Sequence, residues 1–196
     1  MSSSPHNTFF NLPNLITLAR IALIPPFLVM IVSGRVFESF LIFLVAGCTD
    51  VLDGQLARLL RQKTKIGTIL DPTADKLLMT SAYITLTLPA LTTFNTLPIW
   101  LTATVVGRDA LIGIGYFVIS RVRGIKTVSP TILGKTSTVF QIGTVLLVLL
   151  FNYLQLSPAF LIWLYFLTLT FTLLSGIHYF ITYAFLIPSP PSHGKK

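Results

Sequence analysis

Long apolar segments recur along the whole chain, separated by short stretches rich in polar and basic residues. The segments are continuously apolar rather than alternating, so they fit helices better than the strands of a closed barrel. A helix needs about 20 apolar residues to cross the hydrocarbon core of a bilayer. The pattern therefore predicts an all-α integral membrane protein, a bundle of six transmembrane helices. The predicted spans are residues 14–33, 37–60, 68–91, 97–120, 131–154 and 158–187.

Glycine and proline support these boundaries, for example Gly34 after the first segment and Pro130 before the fifth. The pair Pro25-Pro26 lies inside the first segment. It is expected either to kink the helix or to split off a short N-terminal interfacial segment that ends near Ile24. Three regions follow: an N-terminal cytoplasmic tail (1–13), a membrane domain (14–187) and a disordered cytoplasmic tail (188–196).

Composition agrees with a single membrane domain. Of the 196 residues, 53% are apolar and 10% are charged, so no polar stretch is large enough to fold alone. The net charge of +8 comes mainly from basic residues between the segments, which favours a role in membrane topology over nucleic-acid binding. These residues cluster in the second-to-third and fourth-to-fifth connections and at the C-terminus. The positive-inside rule then places those connections, and both termini, in the cytoplasm.

Four of the six acidic residues fall within 26 positions, around the second-to-third connection. A charged side chain at bilayer depth costs roughly 2.5–3.5 kcal/mol, so acids placed there are functional candidates. Asp50 and Asp53 share one face of the second helix, and Asp71 and Asp75 share one face of the third. Carboxylates without neighbouring cysteine or histidine favour Mg²⁺ or Mn²⁺ over zinc, and four of them suit two ions. The pattern predicts a metal site that opens toward the cytoplasm.

The same aspartates belong to a longer motif. It reads Asp50-x-x-Asp53-Gly54-x-x-Ala57-Arg58 and, after eight residues, Gly67-x-x-x-Asp71-x-x-x-Asp75. The motif resembles the signature of the CDP-alcohol phosphatidyltransferases without a departure. The N-terminal PNLITLARI and the six segments resemble that family too, so the resemblance covers nearly everything between residues 11 and 183.

The resemblance implies an enzyme that moves a phosphatidyl group from CDP-diacylglycerol to an alcohol and releases CMP. It implies that the four aspartates bind two Mg²⁺ or Mn²⁺ ions, and that Asp75 also acts as general base on the acceptor hydroxyl. The CDP-lipid would be bound by Gly54, Ala57, Arg58 and Gly67. Family members are commonly homodimers, so a homodimer embedded among membrane lipids is expected.

The acceptor is less closely specified. The chain length and PNLITLARI resemble most the bacterial members that use glycerol 3-phosphate and make phosphatidylglycerophosphate in the cell membrane. Such a dianion needs basic side chains, for which Arg108, Arg121 and Lys135 are the candidates. Arg108 has a second interpretation as half of a locally compensated pair with Asp109, and Lys135 as an interfacial lysine. Phosphatidylglycerol, the acceptor of cardiolipin synthases, is the alternative; inositol and serine stay open.

Two other classes of membrane protein also place aspartates between helices. A cation transporter would use the cluster as an ion pathway. A membrane prenyltransferase would use aspartates and Mg²⁺ on a lipid diphosphate, but with two motifs far apart on a longer bundle. The interleaved small residues of the motif favour the phosphatidyltransferase interpretation.

One basic residue lies inside the first predicted helix rather than between helices. Arg20 shares a helical face with Asn14 and Thr17, which are spaced three residues apart. Arg20 is expected either to face the phosphates of the lipid donor or to anchor the chain at the cytoplasmic surface.

Overall fold

The computed structural model describes the backbone of residues 12–59, 67–89, 95–123 and 131–186, and the side chains of residues 15–49, 72–89, 95–121 and 131–183. Within these ranges the chain forms six helices: α1 (Leu12–Val32), α2 (Val36–Leu59), α3 (Gly67–Thr87), α4 (Ile99–Arg123), α5 (Ile132–Tyr153) and α6 (Ala159–Leu186). The predicted all-α architecture is confirmed for this part of the chain. Most of the two predicted tails lies outside the described residues.

The break after α1 is a glycine cap. Gly34 has a φ of 73°, a conformation that costs glycine little because it has no Cβ. Its N–H donates to the carbonyl of Ile31 at 3.0 Å, and the N–H of Arg35 donates to the carbonyl of Met30 at 2.9 Å. These two bonds satisfy carbonyls that the end of the helix would otherwise leave open. The chain can therefore turn back sharply into α2.

Pro25 and Pro26 lie inside α1, which continues through them as one helix. The predicted split into an interfacial segment ending near Ile24 is therefore wrong. Each proline removes a backbone hydrogen bond, but proline is tolerated in membrane helices where neighbouring helices support the affected turn. Phe27 and Ile31, just beyond the pair, are 0% and 4% exposed. Their packing against other helices supports the second half of α1.

The six helices are arranged as a ring. Going round it, α1 packs against α2, α2 against α5, α5 against α6, α6 against α4, α4 against α3, and α3 against α1. A further contact between α3 and α5 crosses the ring. There the hydroxyl of Tyr83 donates to the carbonyl of Gln141 at 3.2 Å. This order places α1 beside both helices that carry the signature motif.

An apolar core fills one part of the ring, with Phe27, Phe43, Met79 and Leu149 among its buried members. The rings of Phe27 and Phe43 lie 5.7 Å apart, within the range of favourable aromatic contacts. Large apolar side chains also cover the outside, as at Trp163, which is 75% exposed. An apolar exterior of this extent fits a lipid environment.

Four of the described helices are long and apolar enough to cross a membrane. They contain the candidate spans Leu15–Val32, Ile99–Arg121, Ile132–Tyr153 and Ala159–Tyr183. In α2, the described stretch Val36–Thr49 is apolar but shorter. The prediction of a helical membrane protein is thus supported, with four candidate spans in the described part of the chain.

Candidate functional site

The signature motif occupies two helix ends that are consecutive in the chain. Asp50 and Asp53 lie in the C-terminal half of α2, and Asp71 and Asp75 lie in the N-terminal half of α3. Because α1 packs against both helices, α2 and α3 share a neighbour. All four aspartates are on helices, as the spacing predicts.

The convergence of the four carboxylates stays a prediction. Asp75 is described and half-buried, whereas the side chains of Asp50, Asp53 and Asp71 lie outside the described residues. So do those of the predicted CDP-lipid residues, Gly54, Ala57, Arg58 and Gly67. Among the side chains that the structure describes, no group of three acidic, histidine or cysteine residues could hold a metal ion. Three of the four predicted ligands lie outside those described side chains.

The buried face of α1 also carries polar groups in the N-terminal half of the helix. Thr17 and Arg20 are 2% and 1% exposed, and they continue toward the N-terminus the buried stripe that contains Phe27 and Ile31. An interfacial anchor would keep its guanidinium in water, so the anchoring interpretation of Arg20 is wrong. A buried guanidinium needs anionic partners to offset its desolvation. Its position on the helix shared by α2 and α3 favours the interpretation that Arg20 faces the site.

A network of charged groups connects α3, α4 and α6. Lys76, the residue after Asp75, donates to Asp109 on α4 at 2.6 Å. Asp109 also accepts from Nη1 of Arg108 at 2.7 Å, and Nη2 of Arg108 donates to Ser175 on α6 at 2.6 Å. The side chains of Arg108 and Asp109 are only 7% and 10% exposed. The locally compensated pair is therefore present, and it extends to two further helices.

Tyr179 on α6 connects this network with the start of α5. The guanidinium of Arg108 lies 5.8 Å from the centre of the Tyr179 ring, a cation–π distance. The Tyr179 hydroxyl accepts from the backbone N–H of Thr131 at 3.2 Å, and Thr131 in turn caps α5 by accepting from the Gly134 N–H at 3.0 Å. Lys135 follows Gly134, and its side chain is exposed. Arg108 and Lys135 thus lie on elements that meet at Tyr179.

Arg121 lies apart from these two residues. It is exposed near the end of α4, with its guanidinium 5.2 Å from the centre of the Phe117 ring. It lies thirteen positions beyond Arg108 on the same continuous helix, which corresponds to about 20 Å along the axis at the usual helical rise. The three predicted acceptor residues therefore do not surround one small molecule.

The sequence did not identify Lys76, Ser175 and Tyr179 as members of this network. Lys76 had a usable signal, because a cation within an apolar helix requires a partner and Asp109 is the acid of α4. Ser175 and Tyr179 had none, since serine and tyrosine are common in membrane helices. Their role follows only from the packing of α6 on α4.

A ring of apolar helices with charged groups buried between them defines an α-helical membrane protein with several spans. Residues 10–176 match the family described as CDP-alcohol phosphatidyltransferase. The chain belongs to this family, as the motif predicted, and is therefore an enzyme of phosphatidyl transfer.

Several relatives are similar over most of their length. The CDP-diacylglycerol–glycerol-3-phosphate 3-phosphatidyltransferase of Bacillus subtilis is 35% identical over 188 residues, covering 87% of this chain and 94% of the relative. A putative cardiolipin synthase of Mycobacterium tuberculosis is 32% identical over 166 residues, covering 80% and 77%. The Escherichia coli protein with the same name as the Bacillus one is 42% identical over 106 residues, covering 53% and 57%.

Proposed function

We propose that this protein transfers the phosphatidyl group of CDP-diacylglycerol to glycerol 3-phosphate, releasing CMP and forming phosphatidylglycerophosphate. The observation that carries the proposal is the similarity to the Bacillus enzyme of that name, which extends over 94% of that enzyme. The complete signature motif in α2 and α3 supports the donor and the chemistry. The acceptor is supported by the names of the Bacillus and Escherichia relatives.

The donor set of the motif suits two divalent cations. Asp50, Asp53, Asp71 and Asp75 offer only carboxylate oxygens, the ligands that Mg²⁺ and Mn²⁺ prefer. When bound, such ions would neutralise the diphosphate and stabilise the departing CMP. Arg20 is buried on α1, which packs against both motif helices, and would add fixed positive charge to the site. We propose that Gly54, Ala57 and Gly67 make room for the nucleotide and that Arg58 holds its phosphates.

Asp75 is the proposed general base. The acceptor hydroxyl forms a bond to the phosphorus of the phosphatidyl group, and the bond from that phosphorus to the CMP oxygen breaks. The hydroxyl proton goes to the Asp75 carboxylate, and CMP leaves with the bonding electron pair. Half-burial between solvent and the bundle suits a residue that must exchange this proton with water. Its neighbour Lys76 is fixed to Asp109, which limits rotation of α3 and so holds Asp75 in place.

Two of the predicted acceptor residues suit the negatively charged phosphate of glycerol 3-phosphate. Lys135 is exposed at the start of α5, and Arg108 contributes positive charge from the other side of Tyr179. Arg121, about 20 Å further along α4, suits the attraction of the dianion toward the site rather than contact with it.

The proposed topology has six spans, with the site and both termini in the cytoplasm. Four of these spans correspond to candidate spans of the described residues. The other two would be α2 and α3, whose signature ends would then face the cytoplasm with the basic connection between them. A homodimer in the cell membrane is proposed from the family resemblance.

CMP release by the purified protein in detergent tests the function. CDP-diacylglycerol and Mg²⁺ or Mn²⁺ are supplied with glycerol 3-phosphate, phosphatidylglycerol, inositol or serine in parallel. We expect release that depends on glycerol 3-phosphate. Release that depends on phosphatidylglycerol would establish the cardiolipin synthase alternative, which the Mycobacterium relative favours by its name. No release with any acceptor would contradict the transferase and favour ion flux through the aspartate cluster.

Asp75→Asn tests the base. The amide keeps the size of the side chain but cannot take the proton, so turnover should fall by at least about a hundredfold, the lower range for general base catalysis. Glu38→Gln is the matched control, because Glu38 is an exposed acid at the far end of α2 that pairs with Arg35.

Chelation by EDTA should silence the wild-type protein and be reversed by Mg²⁺ or Mn²⁺. Retained turnover in Asp75→Asn would contradict the base, and activity indifferent to EDTA would contradict the metal site.

A further inference from the structure

A groove lies on the outer surface of the bundle between α4 and α6. Its cavity volume is about 390 Å³, within the range of small-molecule sites. Small residues create it, with Gly107 on α4 and Gly176 on α6 leaving room at its base. Its rim is apolar and exposed, as at Ile177 and Phe180, which are 56% and 62% exposed. A groove with such a rim, on two helices that qualify as membrane spans, faces acyl chains rather than water.

A buried cation also lines the apolar groove. Arg108 is 8% exposed, and the stem of its side chain lies against Gly176. Its two terminal nitrogens donate to Asp109 and Ser175, but its Nε is buried and has no acceptor among the described atoms. A buried N–H without an acceptor is costly, more so on a charged group. The groove therefore lacks one oxygen acceptor beside Nε.

The charge of the network also favours an anion. Two cations, Lys76 and Arg108, share the single carboxylate of Asp109. Thr172, also in the groove lining, is fully buried and already bonded to Ser137 and Gln141 on α5, so it does not supply the missing acceptor. An anionic group that enters the groove would meet the guanidinium of Arg108, whose one carboxylate partner is shared with Lys76, and apolar surface along the rim.

We propose that this groove binds one molecule of an anionic glycerophospholipid that carries no nucleotide. One acyl chain would lie in the groove along α4 and α6, and an ester or phosphate oxygen would accept from Arg108 Nε. The apolar groove would hold the acyl chain. The N–H of Arg108 Nε, which has no acceptor among the described atoms, would favour a lipid with an oxygen-rich, negatively charged end. The groove lining comes from α4 and α6 and includes no residue of the signature helices α2 and α3. Arg108 would contact this lipid through Nε, whereas its proposed part in acceptor binding is to add positive charge beside Tyr179.

Native mass spectrometry of the delipidated protein tests the site, with dioleoylphosphatidylglycerol as probe. Gly107→Leu should fill the groove, since a Cβ at residue 107 meets no atom within 4 Å. Gly113→Leu is the matched control: it lies on the same helix with equally open space, but outside the groove lining. We expect one tight lipid adduct in the wild-type and Gly113→Leu proteins, and at least a tenfold weaker one in Gly107→Leu. Equal binding in all three proteins, or equal loss in both variants, would overturn the site.

Three further measurements on the wild-type protein identify the occupant, so they do not depend on whether a variant folds. Dioleoylphosphatidylcholine should bind several-fold more weakly than phosphatidylglycerol, and CDP-diacylglycerol should not displace phosphatidylglycerol at equal concentration. Displacement by CDP-diacylglycerol would overturn the assignment to a lipid without a nucleotide. Phosphatidylglycerol with a diazirine in its acyl chain should label residues 103–111 and 172–180 of the wild-type protein. Labelling confined to other helices would also overturn the proposal.

Discussion

Two buried regions of this bundle are held together by different forces. The core beside α1 is apolar, with Phe27, Phe43 and Met79 packed against one another. The interface between α5 and α6 adds a buried row of hydroxyl and amide groups to its aromatic contacts. Ser137 and Thr172 lie 3.2 Å apart, Gln141 donates to both of them at 3.2 Å, and Thr144 and Thr168 lie 2.7 Å apart. All five of these polar residues are at most 1% exposed.

The difference shows what a bilayer does to side-chain preferences. An apolar side chain gains little by leaving lipid for the interior, because lipid tails are as apolar as leucine, so its contribution comes from close packing. A hydroxyl or amide in lipid has no partner, so it must find one on another helix. Polar residues therefore specify which helices meet, while apolar residues determine how closely they pack. The charged network of Lys76, Asp109 and Arg108 is the extreme case of the polar kind.

Of the substitutions that test this contrast, removing the carboxylate of that network should lower the stability of the protein the most. Asp109→Ala would leave the guanidinium of Arg108, whose side chain is 7% exposed, without its anion. Breaking a buried pair in this way costs about 3–5 kcal/mol, and most of the cost should come from Arg108 because Lys76 is 40% exposed and screened. The melting temperature of the purified protein in detergent should fall steeply.

The exposed pair of Arg35 and Glu38 is the matched control for Asp109→Ala. Its two side chains are 58% and 40% exposed, so Glu38→Ala should change the melting temperature very little. Equal shifts in the two variants would contradict the view that buried charge holds α3, α4 and α6 together.

The second prediction concerns packing alone. Gly115 on α4 lies against the ring of Tyr183 on α6, so closely that an added Cβ would overlap two ring atoms. The Tyr183 hydroxyl also donates to the carbonyl of Ile112 at 3.4 Å, which hinders the ring from moving away. Gly115→Ala should therefore cost about 1–3 kcal/mol, the usual range for overpacking.

Gly113→Ala, two residues earlier on the same helix, meets no atom within 4 Å and should leave the melting temperature unchanged. If Gly115→Ala melts like Gly113→Ala, the close approach of α4 and α6 does not stabilise the protein. The stability of this interface would then come from its polar contacts alone.

These contrasts explain how much of the molecule the sequence could predict. The six helices follow from apolar length and from breakers such as Gly34, and their observed ends differ by four residues or fewer from the predicted ones. The motif in α2 and α3 identified the family because its spacing is specific. Helices that are apolar all round carry no periodic signal for the side that faces the core. The order of helices around the ring was therefore beyond the sequence.

In the candidate site, too, some features follow from the sequence and others depend on which helices are neighbours. Asp75 and its helix follow from the motif, but the pairing of Lys76 with Asp109 joins residues 33 positions apart, and that of Arg108 with Ser175 joins residues 67 apart. Such pairings depend on which helices are neighbours. Pro25-Pro26 failed as a break because local propensity was outweighed by the packing of α1 on its neighbours.

The smallest expected effect tests the polar interface directly. Thr172→Val keeps the shape of the side chain and removes the hydroxyl that accepts from Gln141 and bonds Ser137. Hydrogen bonds between membrane helices contribute about 0.6 kcal/mol on average and at most about 1.7, so the loss should be about 1 kcal/mol. Thr170→Val is the matched control, because Thr170 is exposed on the same helix and bonds only its own backbone at Phe166. A drop in the melting temperature for Thr172→Val alone would show that the α5–α6 contact depends on the hydroxyl. Identical melting of the two variants would mean that α5 and α6 associate by shape, as the apolar core does, and the contrast between the two regions would disappear.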